Sequence, residues 1–485
     1  MHRASEIFKS GEDLTLKCTD ARYIYANMAN KTKTVFICQS CGREHPKWQG
    51  RCDGCSEWNT LVEEVVEKRP ASSFSTFSSS RPVPLSEADS TAGNRVESGF
   101  GEFDRVLGGG IVPGSVVLLS GEPGIGKSTI LLQIAMKLSE RSVKSFYVTA
   151  EESPGQIKMR AERLSASGTV DNIMLLAENT VETVLANTDD SDILIVDSIQ
   201  AMASLEITGT PGNIGQVRHS TSILVDYAKR NGKTVLIVGH VTKSGNIAGP
   251  KVLEHAVDVV LTMEGDRQSE LRLLRATKNR FGATGEIGVF SMGEAGFAEV
   301  ENPSAAFIAQ HEHPVPGSVI FAGMEGQRPL FVEIQALAAP AAYGTPQRVA
   351  QGIDYRRLIL LAAILERRAG MPLSRYDLFV NVVGGVDISE RSADIAVMLA
   401  IVSSLRDIPV KPEIAVLGEV GLTGELRRVR RTAARLKEAE RLGFKGVILP
   451  KTSEKIPRKK NLQLFSVGEI YSAFNIALGK KKADV

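Results

Sequence analysis

The sequence predicts an α/β protein in three parts, on three observations. First, Gly121-Glu122-Pro123-Gly124-Ile125-Gly126-Lys127-Ser128-Thr129 fits G-x-x-x-x-G-K-[ST], between a β-branched apolar run at 115–119 and a helical run at 130–138. Strand, loop, helix is the order a phosphate-binding loop requires. Second, Cys38, Cys41, Cys52 and Cys55 form two Cys-x-x-Cys units separated by ten residues. Third, strand and helix patterns resume from about Val315 without another phosphate motif.

The chain has 485 residues, too many for a single core. Charged residues make up 24% and hydrophobic ones 43%, and no apolar run approaches the ~18 residues a membrane span needs. The net charge of +2 means that any nucleic-acid binding must come from local basic loops. The fifth cysteine, Cys18, stands alone, so the cysteines do not form a disulfide framework and suit a reducing cytoplasm.

Residues 1–27 carry mixed charge and no signal-peptide core, so they read as a disordered extension or an upstream start site. In 28–66, two cysteine knuckles complete the tetrahedron that Zn²⁺ prefers, at about 2.3 Å per Zn–S bond, and four protein ligands make the role structural. Both tryptophans, Trp48 and Trp58, belong to this module. They are expected to pack its small core; the alternative is that Trp48, beside Lys47 and Arg51, stacks on a base. Residues 67–92 are rich in serine and proline and read as a flexible linker.

In the phosphate loop, the glycines turn backbone N–H groups towards phosphates, Lys127 brings a charge to the β/γ oxygens of ATP, and Ser128 offers a hydroxyl to Mg²⁺. A second strand, 146–149, ends at Glu151-Glu152, where one carboxylate can orient or deprotonate a water; acids also suit the start of the helix that follows. A third strand ends at Asp197, placed to hold Mg²⁺, and a fourth ends at His240, a candidate γ-phosphate sensor or a structural histidine. Glycine-rich loops at 208–215 and 243–251 follow these strands, with Lys243 and Lys251 able to meet phosphates of a nucleic-acid strand. Lys278-Asn-Arg280-Phe-Gly282 holds two cations that reach a neighbour's nucleotide in an oligomer, or form a solvated basic turn.

The ribbon, the phosphate loop, 278–282 and the C-terminal segment together resemble the bacterial RadA/Sms family from Met28 to about Lys480. The resemblance implies a zinc ribbon, a RecA-like core over 93–303 and a Lon-protease-like α/β domain over 304–485. It implies a hexameric, DNA-dependent ATPase that drives branch migration on single-stranded and branched DNA beside the recombinase RecA. It assigns Lys278 and Arg280 to the adjacent subunit's nucleotide and to DNA coupling. In the Lon-like segment, Ser392 falls at the nucleophile's place and Ala433 at the lysine's, with Lys437 a helical turn beyond, so proteolysis is not expected. Arg356, Arg357, Arg367, Arg368, Arg427, Arg428, Arg430 and Arg431 form basic runs that are either a phosphate track or a solvated face. The competing readings are a Lon-type serine protease and a KaiC-type regulatory ring.

Overall fold

The computed structural model describes residues 32–38, 43–54, 56–67, 84, 94–164, 170–188, 190–240, 251–265, 270–308, 313–341, 346–451 and 461–478. The predicted extension and nearly all of the predicted linker lie outside the described residues.

The ribbon is an antiparallel sheet in which β1 (Thr32–Cys38) pairs with β2 (Glu44–His45) and β3 (Leu61–Glu67). Its buried cluster is Cys38, Cys52 and Leu61, with Phe36 partly buried against it. That is too little apolar surface to cover two indoles. Trp48 is 56% and Trp58 67% exposed, so the expectation that they pack the ribbon core is corrected.

The middle of the chain opens with α1 (Gly101–Leu107) and continues through β4 (Val116–Gly121), α2 (Lys127–Glu140), β5 (Ser145–Thr149), α3 (Pro154–Leu164) and β6 (Ile173–Ala177). Then come α4 (Val181–Leu185), β7 (Ile193–Asp197), α5 (Ile214–Asn231), β8 (Thr234–His240), α6 (Lys251–Ala256) and β9 (Val259–Glu264). The strands β10 (Leu271–Asn279), β11 (Ile287–Gly293) and β12 (Gly296–Glu299) complete a nine-stranded sheet in the order β12-β11-β10-β9-β4-β8-β7-β5-β6. The run from β9 to β6 is parallel, and its strands read as near-continuous apolar runs because both faces are covered. One face packs Leu119, Ile195 and Leu236 under α2; the other packs Val148, Val196 and Ile237 under α5. The strands from β10 to β12 run antiparallel.

Beyond α7 (Pro303–Ala306), a second sheet is built from β13 (Ser318–Glu325), β14 (Arg328–Pro340), β15 (Arg348–Gln351) and β16 (Tyr376–Val382), with α8 (Tyr355–Ala369) between the last two. Asp354 caps α8 by accepting from the Arg357 N–H at 2.8 Å, and Gly370, at φ 64°, ends it in the left-handed conformation. The rest is α9 (Asp394–Arg406), β17 (Ile414–Val416), the hairpin β18 (Glu419–Val420) and β19 (Leu426–Arg427), α10 (Thr432–Arg441), β20 (Gly446–Pro450), β21 (Gln463–Val467) and α11 (Ile470–Leu478). The sheet order is β15-β16-β14-β13-β17-β20-β21, with α9 buried across it from Ile395 to Val402.

The two sheets share an apolar seam. Leu273, Ile287 and Val289 of β10 and β11 pack with Phe307, Leu330, Val332, Val382 and Val386. Ion pairs flank it: Arg328 meets Glu102 at 2.5 Å, and Arg275 meets Glu325. At the turns the backbones touch, since a Cβ on Gly326 would lie 1.5 Å from the Gly285 carbonyl oxygen.

Candidate functional site

The loop 121–129 joins the C-terminal end of β4 to the N-terminus of α2. Gly126, at φ 110°, caps α2 where any Cβ would meet the Phe297 ring at 2.6 Å, so only glycine fits. Ile125 and Thr129 are buried beneath the loop, while Glu122, Pro123 and Gly124 face outward. Lys127 is 3% exposed and donates to the carbonyl oxygens of Gly121 (2.9 Å) and Glu122 (3.0 Å). Burial pulls its pKa down to about 8, against the opposing charges of Asp197 and Glu151. A buried cation held by two carbonyls is poised to exchange them for phosphate oxygens.

The neighbouring parallel strands aim their polar ends at this loop. Asp197, at the end of β7, accepts a 2.6 Å hydrogen bond from the hydroxyl of Tyr147 and another from Ser128. Burial raises its pKa, and these two hydrogen bonds oppose the rise. Tyr147 is wholly buried on β5 and keeps its proton far above the usual range, through burial and the Asp197 charge. Sequence reasoning treated it only as a strand residue. The available signal was a phenol in a buried strand two residues before the turn towards Glu151, where a hydroxyl needs a partner.

The adjacent acids have different partners. Glu151 accepts from the Ser198 hydroxyl at 2.6 Å and lies 4.0 Å from His240 Nε2. Glu152 is clasped by Arg160 of α3 through both carboxylate oxygens. Thus Glu151 faces the loop, and Glu152 is tied to the helix behind it. Burial first, then the Lys127 charge, lowers the His240 pKa, so its ring is neutral near pH 7. Its Nδ1 is buried without a hydrogen-bond partner among the described residues.

The predicted cations at 278–280 lie elsewhere. Lys278 donates to the carbonyls of Glu254 (2.6 Å), His255 (3.2 Å) and Val257 (2.7 Å), capping the end of α6. Arg280 pairs at 3.0 Å with buried Asp258, which also binds Lys229 and accepts from the Val116 N–H. Val116 begins β4 and Gly121 ends it, so Arg280 sits about 17 Å along the strand from its own phosphate loop. Lys243 lies outside the described residues; Lys251 opens α6, and its side chain is outside them too.

In the ribbon, Cys41 and Cys55 lie outside the described residues. The buried Cys38 and Cys52 each begin a tight turn, their N–H groups donating to Arg43 O (3.0 Å) and Glu57 O (2.9 Å). The Gly54 N–H points at Cys52 Sγ from 3.3 Å. A backbone donor turned onto the buried Cys52 sulfur suits a thiolate ligand, so the described cysteines fit the ion that the spacing predicts. His45, missed in the sequence, is 5% exposed with Nε2 3.4 Å from Cys52 Sγ. Because its Nδ1 accepts from Gln49 Nε2 at 2.8 Å, its Nε2–H is the donor towards the sulfur.

In the C-terminal domain, Ser392 is buried in the turn that leads into α9, and a cation stands beside it. Arg435 Nη1 lies 3.4 Å from Ser392 Oγ and donates to Ala322 O at 2.5 Å, while Nη2 binds Glu390. Ala433 and Lys437 are both exposed. Of the basic runs, Arg357 pairs with Asp394 and Arg427 with Glu425, while Arg368 donates to Leu422 O and keeps its charge.

An ATPase family model described as KaiC matches residues 96–285, a rubredoxin metal binding domain model matches 36–63, and a Lon protease (S16) C-terminal proteolytic domain model matches 372–480. DNA repair protein RadA of Bacillus subtilis (strain 168) is 46% identical, over 93% of this chain and 99% of its own length. The chain belongs to the RadA family. RadA of Listeria monocytogenes serovar 1/2a is 45% identical, over 92% of this chain and 99% of its own. Among solved structures, the KaiC-like protein PH0186 of Pyrococcus horikoshii OT3 aligns at 21% identity with a TM-score of 0.37, covering 43% of this chain and 99% of that one. This RadA-family chain thus joins a metal-binding ribbon, a RecA-like core of ATPase type and a Lon-type C-terminal domain. Among its described residues, no helix is long and apolar enough to cross a membrane.

Proposed function

We propose that this chain is a DNA-dependent ATPase of recombination and repair, acting as a hexameric ring that drives branch migration on single-stranded and branched DNA beside a recombinase. The observation that carries the reading is the separation of Glu151 from Glu152, which leaves one unclasped carboxylate facing Lys127. The names of the RadA relatives, DNA repair proteins, supply the substrate.

In this reading, residues 121–129 wrap the phosphates of ATP, and Lys127 leaves its two carbonyls for the β/γ oxygens. Ser128 and Asp197 hold Mg²⁺, which neutralises charge on those phosphates. Glu151 orients and deprotonates the attacking water. Glu152 fixes α3 through Arg160, and neutral His240 senses the γ-phosphate through the ring nitrogen facing Glu151. Lys278 and Arg280 are too far from their own loop and serve an adjacent subunit's nucleotide, Arg280 exchanging Asp258 for phosphate. Lys243 and Lys251 meet the DNA backbone. Cys38, Cys41, Cys52 and Cys55 hold a structural zinc. The protease alternative is disfavoured because a guanidinium, always charged, cannot take the Ser392 proton.

The test is steady-state ATP hydrolysis with and without single-stranded DNA at two salt concentrations, beside a Lys127→Ala control. Stimulation that fades with salt supports the reading, because phosphate contacts release counterions. Turnover indifferent to DNA overturns it. In this reading the Tyr147 hydroxyl orients Asp197 for Mg²⁺, and Tyr147→Phe is expected to raise the Mg²⁺ concentration for half-maximal turnover on the order of tenfold, the scale of one hydrogen bond to a charged group. A merely structural tyrosine lowers the melting temperature and leaves the Mg²⁺ dependence in place.

A further inference from the structure

We propose that Trp48 and Trp58 form a base-stacking platform on the metal ribbon, so that the ribbon itself grips single-stranded nucleic acid. The proposal rests on the DNA reading above and gives it a second point of contact, far in sequence from the ATPase loops.

These are the only tryptophans in the chain, and both are more than half exposed. Exposure of both is unusual for the residue that most rewards burial, and it marks a surface built for contact. They converge on one backbone point: a methyl group at Gly50 would lie 3.7 Å from Trp58 Cζ3 and 3.9 Å from Trp48 Cη2. Both rings therefore lie within van der Waals reach of Gly50 and form one patch. The loop that carries them is fixed before any ligand arrives. Arg51 bridges to Trp58, the Asn59 N–H donates to Gly50 O at 2.8 Å, and the Cys52 knuckle closes on Glu57. Pre-set aromatic faces lose little freedom on binding.

Charge selects the occupant. Arg51 holds its guanidinium 5.8 Å from the Trp58 ring centroid, and Lys47 is exposed beside Trp48. Asp53 is already paired with Arg43 at 3.3 Å. Glu57, next to Trp58, is the acid that a phosphate must skirt. Two indoles bordered by lysine and arginine match a planar base attached to a phosphate, and such stacking tolerates any sequence because every base has a π-face. A hydrophobic protein helix would call for an aliphatic surface. The exposed large apolar side chains described in the ribbon are the two tryptophans and Val62.

The experiment titrates the full-length, zinc-loaded protein with a short oligothymidylate. Intrinsic tryptophan emission is followed beside the anisotropy of a labelled copy of the same oligomer. Emission is expected to quench in step with the anisotropy. Trp48→Ala and Trp58→Ala are each expected to weaken binding roughly fivefold to a hundredfold at unchanged zinc content, with Trp48→Phe recovering most of the loss. Anisotropy that reports tight binding while emission stays flat, with both alanine variants binding as the parent does, overturns the platform and leaves the DNA-dependent ATPase standing. Emission that ignores the oligomer and shifts only with an added recombinase also overturns it, in favour of a protein-docking face. No anisotropy change at any salt concentration removes the DNA reading and the platform with it.

Discussion

Glu151→Gln is expected to cut ATP turnover by roughly 10²–10⁴-fold while ATP still binds, and Glu152→Gln is expected to leave most of the rate intact. The amide keeps the shape of Glu151 and can still meet the Ser198 hydroxyl, but it cannot take a proton from water. The second substitution removes the clasp on Arg160, whose guanidinium lies beside the Tyr147–Asp197 pair, so its effect on rate is indirect. Phosphate release measured beside the binding of a fluorescent ATP analogue separates the two outcomes. Equal losses from both variants would mean that the acids act as a pair, and the assignment of Glu151 as the base would fall.

Arg435→Ala is expected to destabilise the C-terminal domain by about 3–5 kcal/mol, the cost of removing one partner from a buried ion pair. Arg435 is 1% exposed and joins Glu390, Ala322 O, Arg430 O and Ser392, linking α10 to β13 and to the segment that leads into α9. Without it, the Ala322 carbonyl and the Glu390 carboxylate lose their donor. Thermal unfolding followed by calorimetry should show the transition shifted down. Ser392→Ala removes one weak contact and should barely move it. Casein should survive incubation with the parent protein and with both variants; cleavage that disappears in Ser392→Ala would restore the protease reading.

The phosphate loop was legible because its chemistry fixes both residue types and spacing, and the flanking apolar runs named its strand and helix. The choice between Glu151 and Glu152 was not. It depends on which carboxylate meets Ser198 and which meets Arg160, eight residues away on another element. Arg435 escaped for a related reason. Position-by-position matching led to Ala433, whereas a longer side chain two residues on reaches the serine. Its trace was present in the sequence: Thr432, Arg435, Leu436 and Ala439 form the buried face of α10, and an arginine on such a face requires a partner. The tryptophans misled because large aromatics usually mean core, and the ribbon's described buried apolar residues are the small Val35, Cys38, Cys52 and Leu61, with Phe36 at the margin.

The seam between the two sheets has a mechanical consequence. Strand β10 enters it at Leu271, Leu273 and Arg275 and ends, a few residues later, at Lys278 and Asn279. A single extended segment is thus anchored against the Lon-type domain at one end and carries Lys278, with Arg280 just beyond it, at the other. With apolar packing, two flanking ion pairs and touching turns, the joint is built as a weld rather than a hinge. A rearrangement that begins at the phosphate loop then has no slack to take up between the two sheets. Whatever moves the ATPase sheet moves the C-terminal domain with it.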